Sequence, residues 1–326
     1  MRSTRWRSIV SSELQLLGLI EARAAGLLDD GPLTVSIAGP YWPEPALVGL
    51  LTNHGLTVER LDASAVARFV FGRHLVAGDL YGRLLTARLA LGSVRKLVIV
   101  QDGLGTMVSM RQVAERRRLV RPRGGPGTPL DRVEPLARRT VRRLAARGGL
   151  TWVVTRSSAE HLRALDTPSV GELVEHAFEH LPPEPTDDHL VGIERLVLGA
   201  AMRVDGVVRH EFYDRWLDAR LAEHPERTLF WPHRREDEVS SARARRHGVR
   251  VGTGSRCVER LVRSLPALSE VHLLPSSPAV TLPGLVPPGT TITVWPLDPD
   301  HLTTGAGNFT EVLDLPVHAT ETGATP

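Results

Sequence analysis

The sequence has a single cysteine, a single lysine, few aromatic residues and no long apolar run. Because Cys257 is alone, an intrachain disulfide and a metal site of several cysteines are excluded, and a reducing compartment such as the cytoplasm is expected. An apolar stretch follows Arg7, but Glu13 and Glu21 interrupt it, and no stretch elsewhere reaches the roughly 20 apolar residues of a membrane span. We therefore predict neither a secretory signal nor a membrane helix.

Arginine carries almost all of the cationic charge. Lys96 is the exception among 40 lysine and arginine residues, and 37 acidic residues leave a formal net charge of +3. So uniform a preference is typical of a GC-rich coding sequence, although selection of arginine for bidentate contacts to phosphate or carboxylate is the alternative. With 326 residues, of which 42% are hydrophobic, the chain has material for two buried cores, and global disorder is excluded.

Short β-like apolar runs alternate with longer helix-like stretches in the first half of the chain, a pattern typical of parallel α/β sheets. The predicted strands are Trp6 to Val10, Leu33 to Ala38, Lys96 to Gln101 and Thr151 to Thr155. Apolar residues at helical spacing predict helices over Leu14 to Leu28, Ala46 to Asn53, Asp79 to Leu91 and Leu136 to Ala146.

A proline-rich segment from Leu181 to Thr186 separates this half from a second alternating series, because its prolines suit neither a helix nor a central strand. In the second series the predicted strands are Arg195 to Met202, Thr228 to Trp231, Val249 to Val251, Glu270 to Leu274 and Thr290 to Trp295, and the predicted helices are Glu211 to Glu223 and Val258 to Arg263. The expected division is one domain over 1–182, a second over 187–315 and a frayed tail over 316–326. The predicted fold class is α/β, with two Rossmann-like domains facing across a cleft where anionic ligands bind.

Residues 111–147 concentrate twelve arginines around a Gly-Gly-Pro-Gly stretch at 124–127. A solvated loop and helix face explains such a cluster without a partner, whereas an acidic acceptor, an anionic membrane surface and nucleic acid are the functional alternatives. The segment has no Phe, Tyr or Trp to stack on bases, so nucleic acid ranks below an anionic carbohydrate or lipid. We predict no nucleic-acid partner and a peripheral contact of this segment with the inner face of the membrane.

Reactive side chains follow predicted strands in several places. Asp102 follows the strand that starts at Lys96 and precedes two glycines, a position where α/β proteins place catalytic groups. The alternative is a turn aspartate that caps the next helix. His233 follows a strand of the second series beside Arg234 and Arg235, where it can protonate or hydrogen-bond a phosphate leaving group, and a solvated loop histidine is the alternative.

Two serine pairs complete this set. Ser276 and Ser277 follow the strand that starts at Glu270, and their hydroxyls with nearby backbone N–H groups would bind a phosphate without metal. A serine N-cap before Pro278 is the compatible alternative. Ser11 and Ser12 join the opening strand to a helix, and an ordinary serine N-cap is again the alternative.

Taken in order, these motifs resemble the bacterial sialyltransferases of the polysialyltransferase and lipooligosaccharide-sialyltransferase type. The matching segments are Ser12-Glu13-Leu14-Gln15-Leu16-Leu17, Gln101-Asp102-Gly103-Leu104-Gly105-Thr106, Pro232-His233-Arg234-Arg235-Glu236 and Ser276-Ser277, with Glu259 at the start of a helix between the last two. The resemblance covers most of residues 8–295. Two positions depart from the family pattern: Gln101 replaces the first acidic residue, and Arg234 replaces the proline after histidine.

The resemblance implies a GT-B-like, inverting and metal-independent transferase. Its donor would be a CMP-activated nonulosonic acid, such as CMP-sialic acid, its acceptor a glycan or glycolipid, and it would need no cofactor. Asp102 would be the general base, and His233 would stabilise the leaving CMP phosphate. The other residues assigned to the donor are Ser276, Ser277, Glu259 and Pro232, and those assigned to the acceptor side of the cleft are Ser12, Gln15, Gly103, Gly105, Thr106 and Arg235.

Two further functions remain open. The same architecture suits a GT-B transferase that uses a UDP- or GDP-sugar. The non-enzymatic alternative is a nucleotide-binding envelope-assembly protein that docks through its arginine-rich segment. The sequence does not determine which nonulosonic acid, acceptor or linkage is involved, nor the oligomeric state.

Overall fold

A computed structural model describes residues 6–29, 31–121, 132–164, 170–181, 188–253, 256–307, 309–313 and 315. The proline-rich boundary, the Gly-Gly-Pro-Gly stretch and the predicted tail lie outside these residues. The chain folds into two compact units. The described residues up to 181 form unit 1, and those from 188 onward form unit 2.

Unit 1 is an alternating α/β structure. In chain order its elements are β1 (Trp6–Val10), α1 (Glu13–Ala24), β2 (Leu33–Ile37), α2 (Pro45–Asn53), β3 (Leu56–Arg60), α3 (Ala63–Val70), β4 (His74–Ala77), α4 (Arg83–Ala90), β5 (Lys96–Val100), α5 (Leu104–Ala114), α6 (Glu134–Ala146), β6 (Leu150–Thr155), α7 (Arg156–Ala164) and β7 (Glu172–His176).

The seven strands of unit 1 pair in parallel in the order β3-β2-β1-β4-β5-β6-β7. The order reverses between β1 and β4, and ligands of such sheets bind beyond the carboxyl ends of the strands at this switch point. Helix α1 packs closely on the sheet, because a Cβ at Gly18 would lie 3.1 Å from Cβ of Val100. This contact brings the start of α1 to the carboxyl end of β5.

Unit 2 repeats the α/β alternation with a smaller sheet. In chain order its elements are β8 (Arg195–Leu198), α8 (His210–Leu221), β9 (Thr228–Trp231), α9 (Glu238–Arg246), β10 (Arg250–Val251), α10 (Val258–Leu261), β11 (Glu270–Leu273), α11 (Pro278–Thr281), β12 (Thr291–Val294) and α12 (Thr310–Leu313). The strands pair in parallel in the order β10-β9-β8-β11-β12, so the switch point lies between β8 and β11.

The structure corrects several predicted elements. The sequence pattern does not predict β3, β4 or β7. Strands β3 and β7 are edge strands with polar, half-exposed residues, and β4 is buried but contributes only three apolar residues, too short a run to stand out. The predicted helix from Asp79 begins at Arg83, because Asp79 Oδ1 accepts a hydrogen bond from Tyr81 N (2.7 Å) in a preceding turn. The predicted helix from Leu14 to Leu28 ends at Ala24. No helix in the described part of the chain has the length and hydrophobicity needed to cross a membrane.

Candidate functional site

In unit 1, Ser12 and Asp102 meet at the carboxyl end of the sheet. Ser12 is the N-cap of α1, and its hydroxyl accepts a hydrogen bond from Gln15 N (3.4 Å) while donating to Asp102 Oδ1 (3.2 Å). The N-cap interpretation of Ser12 is therefore confirmed, and the same hydroxyl also holds the candidate base. Strands β1 and β5 flank β4, so this hydrogen bond connects the turns on either side of the switch point.

The turn that carries Asp102 depends on a glycine conformation and on a hydrogen bond to a threonine side chain. Gly103 has φ 70° and ψ −139°, a conformation that a residue with a side chain rarely adopts, and Asp102 N donates to Thr106 Oγ1 (2.8 Å). Gly103 is the N-cap of α5, so Asp102 lies one residue before the cap position of that helix. The Asp102 carboxylate is half-buried at the start of α5.

Gln15 is buried beneath this site. Its Oε1 accepts a hydrogen bond from Ser11 N (2.7 Å), and a Cβ at Gly78 would lie 1.9 Å from Cδ of Gln15. Gly78 follows β4, so the Gln15 amide lies against the backbone at the switch point. Since its side chain is 1% exposed, Gln15 shapes the turn rather than presenting itself to a ligand.

Gln101, the first departure from the family pattern, has an internal role. Its Nε2 donates to Ser158 Oγ (2.6 Å), and its Oε1 accepts from Thr155 N (2.6 Å). Thr155 Oγ1 in turn donates to Ser158 Oγ (2.9 Å). The side chain is 2% exposed and therefore ties the ends of β5 and β6 to the start of α7. A glutamate at this position would have no N–H to donate to Ser158 Oγ, and its negative charge would be buried.

In unit 2, His233 lies in the turn after β9. Its Nδ1 accepts a hydrogen bond from Arg235 N (3.1 Å), which places the proton of the neutral imidazole on Nε2. The backbone N–H of His233 donates to Glu236 Oε2 (3.0 Å), and Glu236 N donates to His233 O (2.7 Å). The turn thus fixes both the position and the tautomer of the ring.

The carboxylate of Glu236 anchors this turn to the rest of unit 2. It accepts a hydrogen bond from the hydroxyl of the fully buried Tyr213, and that hydroxyl accepts one from Ala200 N (3.0 Å). A Cβ at Gly199, at the carboxyl end of β8, would lie 1.8 Å from Glu236 Oε2. Burial raises the pKa of Glu236, against hydrogen bonds from Tyr213 and the backbone of His233, and burial likewise raises the pKa of Tyr213.

Ser276 and Ser277 occupy the turn after β11, on the other side of β8 from His233. Ser276 Oγ donates to Leu274 O (2.9 Å), whereas the hydroxyl of Ser277 makes no hydrogen bond among the described residues. Ser277 precedes α11 without capping it, so its predicted N-cap hydrogen bond is not formed. Adjacent strands are about 4.8 Å apart, so the turns after β9 and β11 lie roughly 10 Å apart across the end of β8.

Glu259 is linked through Thr281 to the turn that carries Ser276 and Ser277. It is 3% exposed, and its Oε1 accepts a hydrogen bond from the hydroxyl of Thr281, which also donates to Ser277 O (3.3 Å). Glu259 therefore ties α10 to α11. This hydrogen bond favours a positioning role for the carboxylate. The resemblance implies, in addition, a contact with the ribose or the cytosine.

The remaining predicted residues differ in exposure. Arg235 forms an ion pair with Asp205 through Nη1 and Oδ1 (2.7 Å). Arg235 is exposed and Pro232 is half-buried, and the two lie on either side of His233 along the chain. Gly105 is half-buried in the first turn of α5. Among the described residues, no cluster of three or more His, Cys, Asp or Glu side chains could hold a metal ion.

Several arginines of 111–147 have partners inside the protein. Arg111 and Arg117 pair with Glu115 (2.9 and 3.2 Å), and the Arg111 hydrogen bond is the chief cause that lowers the pKa of Glu115. Arg138 and Arg142 donate to the carbonyl of Arg116 (3.0 and 2.6 Å). These guanidinium groups stabilise the segment itself, which supports the interpretation of the cluster as a solvated surface.

No protein-family profile matches the sequence, and no curated protein sequence matches it. Similar folds do occur among solved structures. The α/β-galactoside α-2,3-sialyltransferase of Photobacterium phosphoreum superposes with a TM-score of 0.56 at 10% identity, covering 97% of this chain and 96% of its own. The GT-B domain of a Photobacterium damselae sialyltransferase gives a TM-score of 0.48 at 10% identity, covering 95% of this chain and 96% of its own. A Phytolacca americana protein complexed with UDP-2-fluoro-glucose and pterostilbene gives a TM-score of 0.47 at 15% identity, covering 91% of this chain and 81% of its own.

Of these three, the first alone exceeds a TM-score of 0.5, and it shares the fold along nearly the whole chain. The fold is GT-B-like. The predicted class of two Rossmann-like units is thus confirmed, and the resemblance to the bacterial sialyltransferases holds at the level of the fold. At 10% identity, the GT-B-like fold does not itself assign a substrate.

The sequence patterns do not indicate a role for Tyr213 or Gly199, and they include Glu236 only as part of the histidine motif. Tyr213 gives no signal, because a tyrosine on a predicted helix is ordinarily a core residue. Gly199 lies inside the predicted strand from Arg195 to Met202, which in fact ends at Leu198. The early end of that strand leaves room for the Glu236 carboxylate.

Proposed function

We propose that this chain is an inverting, metal-independent glycosyltransferase that moves a nonulosonic acid from a CMP-activated donor to a glycan hydroxyl. One observation carries the proposal. On one side of the switch point of the second sheet, a histidine with its proton on Nε2 follows β9. On the other side, a hydroxyl without an internal partner in the described structure follows β11. Both groups suit a phosphate monoester, and the motif order of the sequence independently suggests CMP.

Unit 2 would hold the donor. His233 Nε2 would donate a hydrogen bond or its proton to the phosphate oxygen of departing CMP, and Ser277 Oγ would donate to another oxygen of the same phosphate. Ser276, whose hydroxyl is engaged by Leu274 O, would contribute less. Glu259 and Pro232 would border the nucleoside. Two neutral donors suit a single phosphate, whereas a UDP- or GDP-sugar presents a diphosphate.

Unit 1 would activate the acceptor. The Asp102 carboxylate would take the proton of the acceptor hydroxyl, whose oxygen attacks the anomeric carbon while the bond from that carbon to the phosphate oxygen breaks. CMP leaves with the bonding electron pair, and the configuration inverts in one displacement. Ser12 would hold the carboxylate, and Gly103, Gly105 and Thr106 would shape its turn. Gln15 would keep that turn in place, and Arg235 would contact the acceptor.

The acceptor would be a glycan or glycolipid, and its negative charge would suit the excess of arginine. The peripheral membrane contact that the sequence suggests for residues 111–147 stays a prediction, as does a cytoplasmic location. Changing Arg116, Arg117 and Arg118 together to serine and measuring binding to anionic vesicles tests that contact directly.

Calorimetric titration with CMP tests the donor assignment, with UDP as the control and EDTA present throughout. We expect metal-independent binding that prefers CMP and weakens in Ser277→Ala more than in the matched variant Ser276→Ala. Preference for UDP would indicate the diphosphate-sugar transferase instead. Absence of nucleotide binding would contradict the transferase altogether and leave a non-catalytic role. Release of CMP from CMP-sialic acid in the presence of an acceptor then tests the reaction.

A further inference from the structure

Two strongly exposed apolar side chains lie at the amino-terminal edge of the first sheet, at the other end of the strands from Asp102. Phe71 is 84% exposed in the turn between α3 and β4, and Leu91 is 67% exposed in the turn between α4 and β5. No other large apolar side chain in the described ranges is as exposed as these two. The turns touch, because Arg95 N donates to Arg73 O (2.8 Å).

Exposed cations surround this apolar pair. Arg73 and Arg95 lie in the same two turns, Lys96 is the first residue of β5, and Arg147 lies in the adjacent turn before β6. The turns before β5 and β6 also touch, since Leu97 N donates to Gly149 O (2.8 Å). We call Phe71, Arg73, Leu91, Arg95, Lys96 and Arg147 the basic edge.

The cations of the basic edge differ from the other arginines of the protein. In the portions that the structure describes, no carboxylate forms an ion pair with Arg73, Arg95, Lys96 or Arg147, although many other arginines are paired. The acidic group that acts on the neighbouring His74 is Asp29. Burial lowers the pKa of His74, and Lys96, Arg95 and Arg73 lower it further, against Asp29. The local potential is therefore positive.

We propose that the basic edge docks on a membrane surface that contains anionic lipids. Phe71 and Leu91 would enter the headgroup region, and the four cations would face lipid phosphates. Apolar side chains flanked by arginine and lysine are the combination that binds an anionic interface. A soluble polyanion would engage the cations equally well but would leave Phe71 and Leu91 in water, so the exposed apolar pair favours a bilayer.

Docking at this edge leaves the opposite edge of the same sheet accessible. The strands of unit 1 have four to six residues, so the basic edge and the turn of Asp102 lie roughly 15 Å or more apart along them. A lipid-linked acceptor whose glycan extends from the surface would therefore reach the Asp102 turn without moving the chain off the membrane. The docking proposal itself does not depend on the transferase activity.

Sedimentation with vesicles tests the proposal on the full chain. The probes are vesicles of phosphatidylcholine alone and vesicles of phosphatidylcholine mixed with phosphatidylglycerol. We expect binding to the mixed vesicles only. Phe71→Ser with Leu91→Ser, and separately Arg73→Gln with Arg95→Gln, should each lower the partition coefficient by about tenfold or more. All six positions of the basic edge are exposed, so the variants should keep the circular dichroism and thermal midpoint of the parent.

Two controls share the chemistry but not the location. Val191→Ser removes a 57% exposed apolar side chain of unit 2, and Arg246→Gln removes an exposed arginine at the end of α9. Each should change the partition coefficient by less than about twofold. The proposal is overturned if the parent chain does not bind the mixed vesicles, or if the controls lose as much binding as the basic-edge variants. It is also overturned if the double arginine variant loses binding while the Phe71 and Leu91 variant does not, because that result indicates a general polyanion surface.

Discussion

Ser12 Oγ donates a hydrogen bond to Asp102 Oδ1 over 3.2 Å, although 90 residues separate the two in sequence. The bond joins the N-cap of α1 to the turn after β5 and holds one oxygen of the carboxylate in a fixed direction. Asp102 N, bonded to Thr106 Oγ1, fixes the backbone of the same residue. A half-buried carboxylate that is held by Ser12 on a fixed backbone is suited to accept a proton from a bound hydroxyl.

Replacing Asp102 with asparagine removes the proton acceptor without changing its shape. The amide oxygen can still accept from Ser12, so the turn should persist. We expect Asp102→Asn to lower turnover by about two powers of ten or more while the affinity for CMP stays nearly constant. Initial rates of CMP release and calorimetric titration give the two numbers.

Ser12→Ala serves as the matched variant, because it removes the hydrogen bond and keeps the carboxylate. Its turnover should fall by about tenfold, less than in Asp102→Asn, since the base is retained but less well oriented. A loss of CMP affinity in Asp102→Asn as large as its loss of turnover would refute the assignment of Asp102 as the base.

The two serines after β11 should contribute unequally to nucleotide binding. Ser277 has a hydroxyl that is unused in the described structure, whereas that of Ser276 donates to Leu274 O. We expect Ser277→Ala to weaken CMP binding by about tenfold or more, the worth of one hydrogen bond to a charged group, and Ser276→Ala to weaken it by less. Titration calorimetry at constant pH measures both, and an equal or larger effect of Ser276→Ala would contradict the phosphate contact of Ser277.

The sequence predicts most of the central, apolar strands, although it misses the short strand β4. The run Lys96 to Gln101 is buried on both faces of the sheet and is identified within one residue, as is Trp6 to Val10. Edge strands such as Glu172–His176 carry polar, half-exposed side chains and leave no comparable pattern. The ordering of motifs along the chain places Asp102 and His233 correctly at strand ends, because parallel strands present their carboxyl ends on one edge.

The hydrogen-bond partners of these residues are beyond such patterns. The contact of Tyr213 with Glu236 joins helix α8 to a turn after β9, and it depends on an early end of β8 at Leu198 that a run of apolar residues does not reveal. Likewise, the reason for glutamine at 101 lies in Ser158 on a helix that the pattern did not predict. Long-range polar contacts of this kind need coordinates.

Glu236 should make the stability of the protein depend on pH. Its pKa in the folded chain is raised by burial, so from the usual glutamate range upward the folded state keeps a proton that the unfolded chain releases. The folded state then binds more protons, and its stability falls as pH rises until the raised pKa is passed. Glutamine cannot ionise, so Glu236→Gln should gain stability relative to the parent as pH rises from about 4 to about 8.

Urea unfolding of both chains at the two pH values measures this difference. Glu238→Gln is the control, since Glu238 lies two residues away but is exposed. If the difference between Glu236→Gln and the parent is the same at both pH values, burial does not raise the pKa of Glu236 in the folded chain.

Gln101 offers the sharpest test of why this chain departs from the acidic pattern of the family it resembles. The amide both donates to Ser158 and accepts from Thr155 N, a combination that a carboxylate cannot supply. We expect Gln101→Glu to lower the free energy of unfolding by about 1–3 kcal/mol at neutral pH, because a buried charge replaces a satisfied amide. In the Ser158→Ala background the same change should cost less, by about 0.5 kcal/mol or more, since the donor bond is already lost. Unchanged stability in Gln101→Glu would mean that the hydrogen bonds to Ser158 and Thr155 are not the reason for glutamine at this position. Selection by the sugar donor or the glycan acceptor would then be the better explanation.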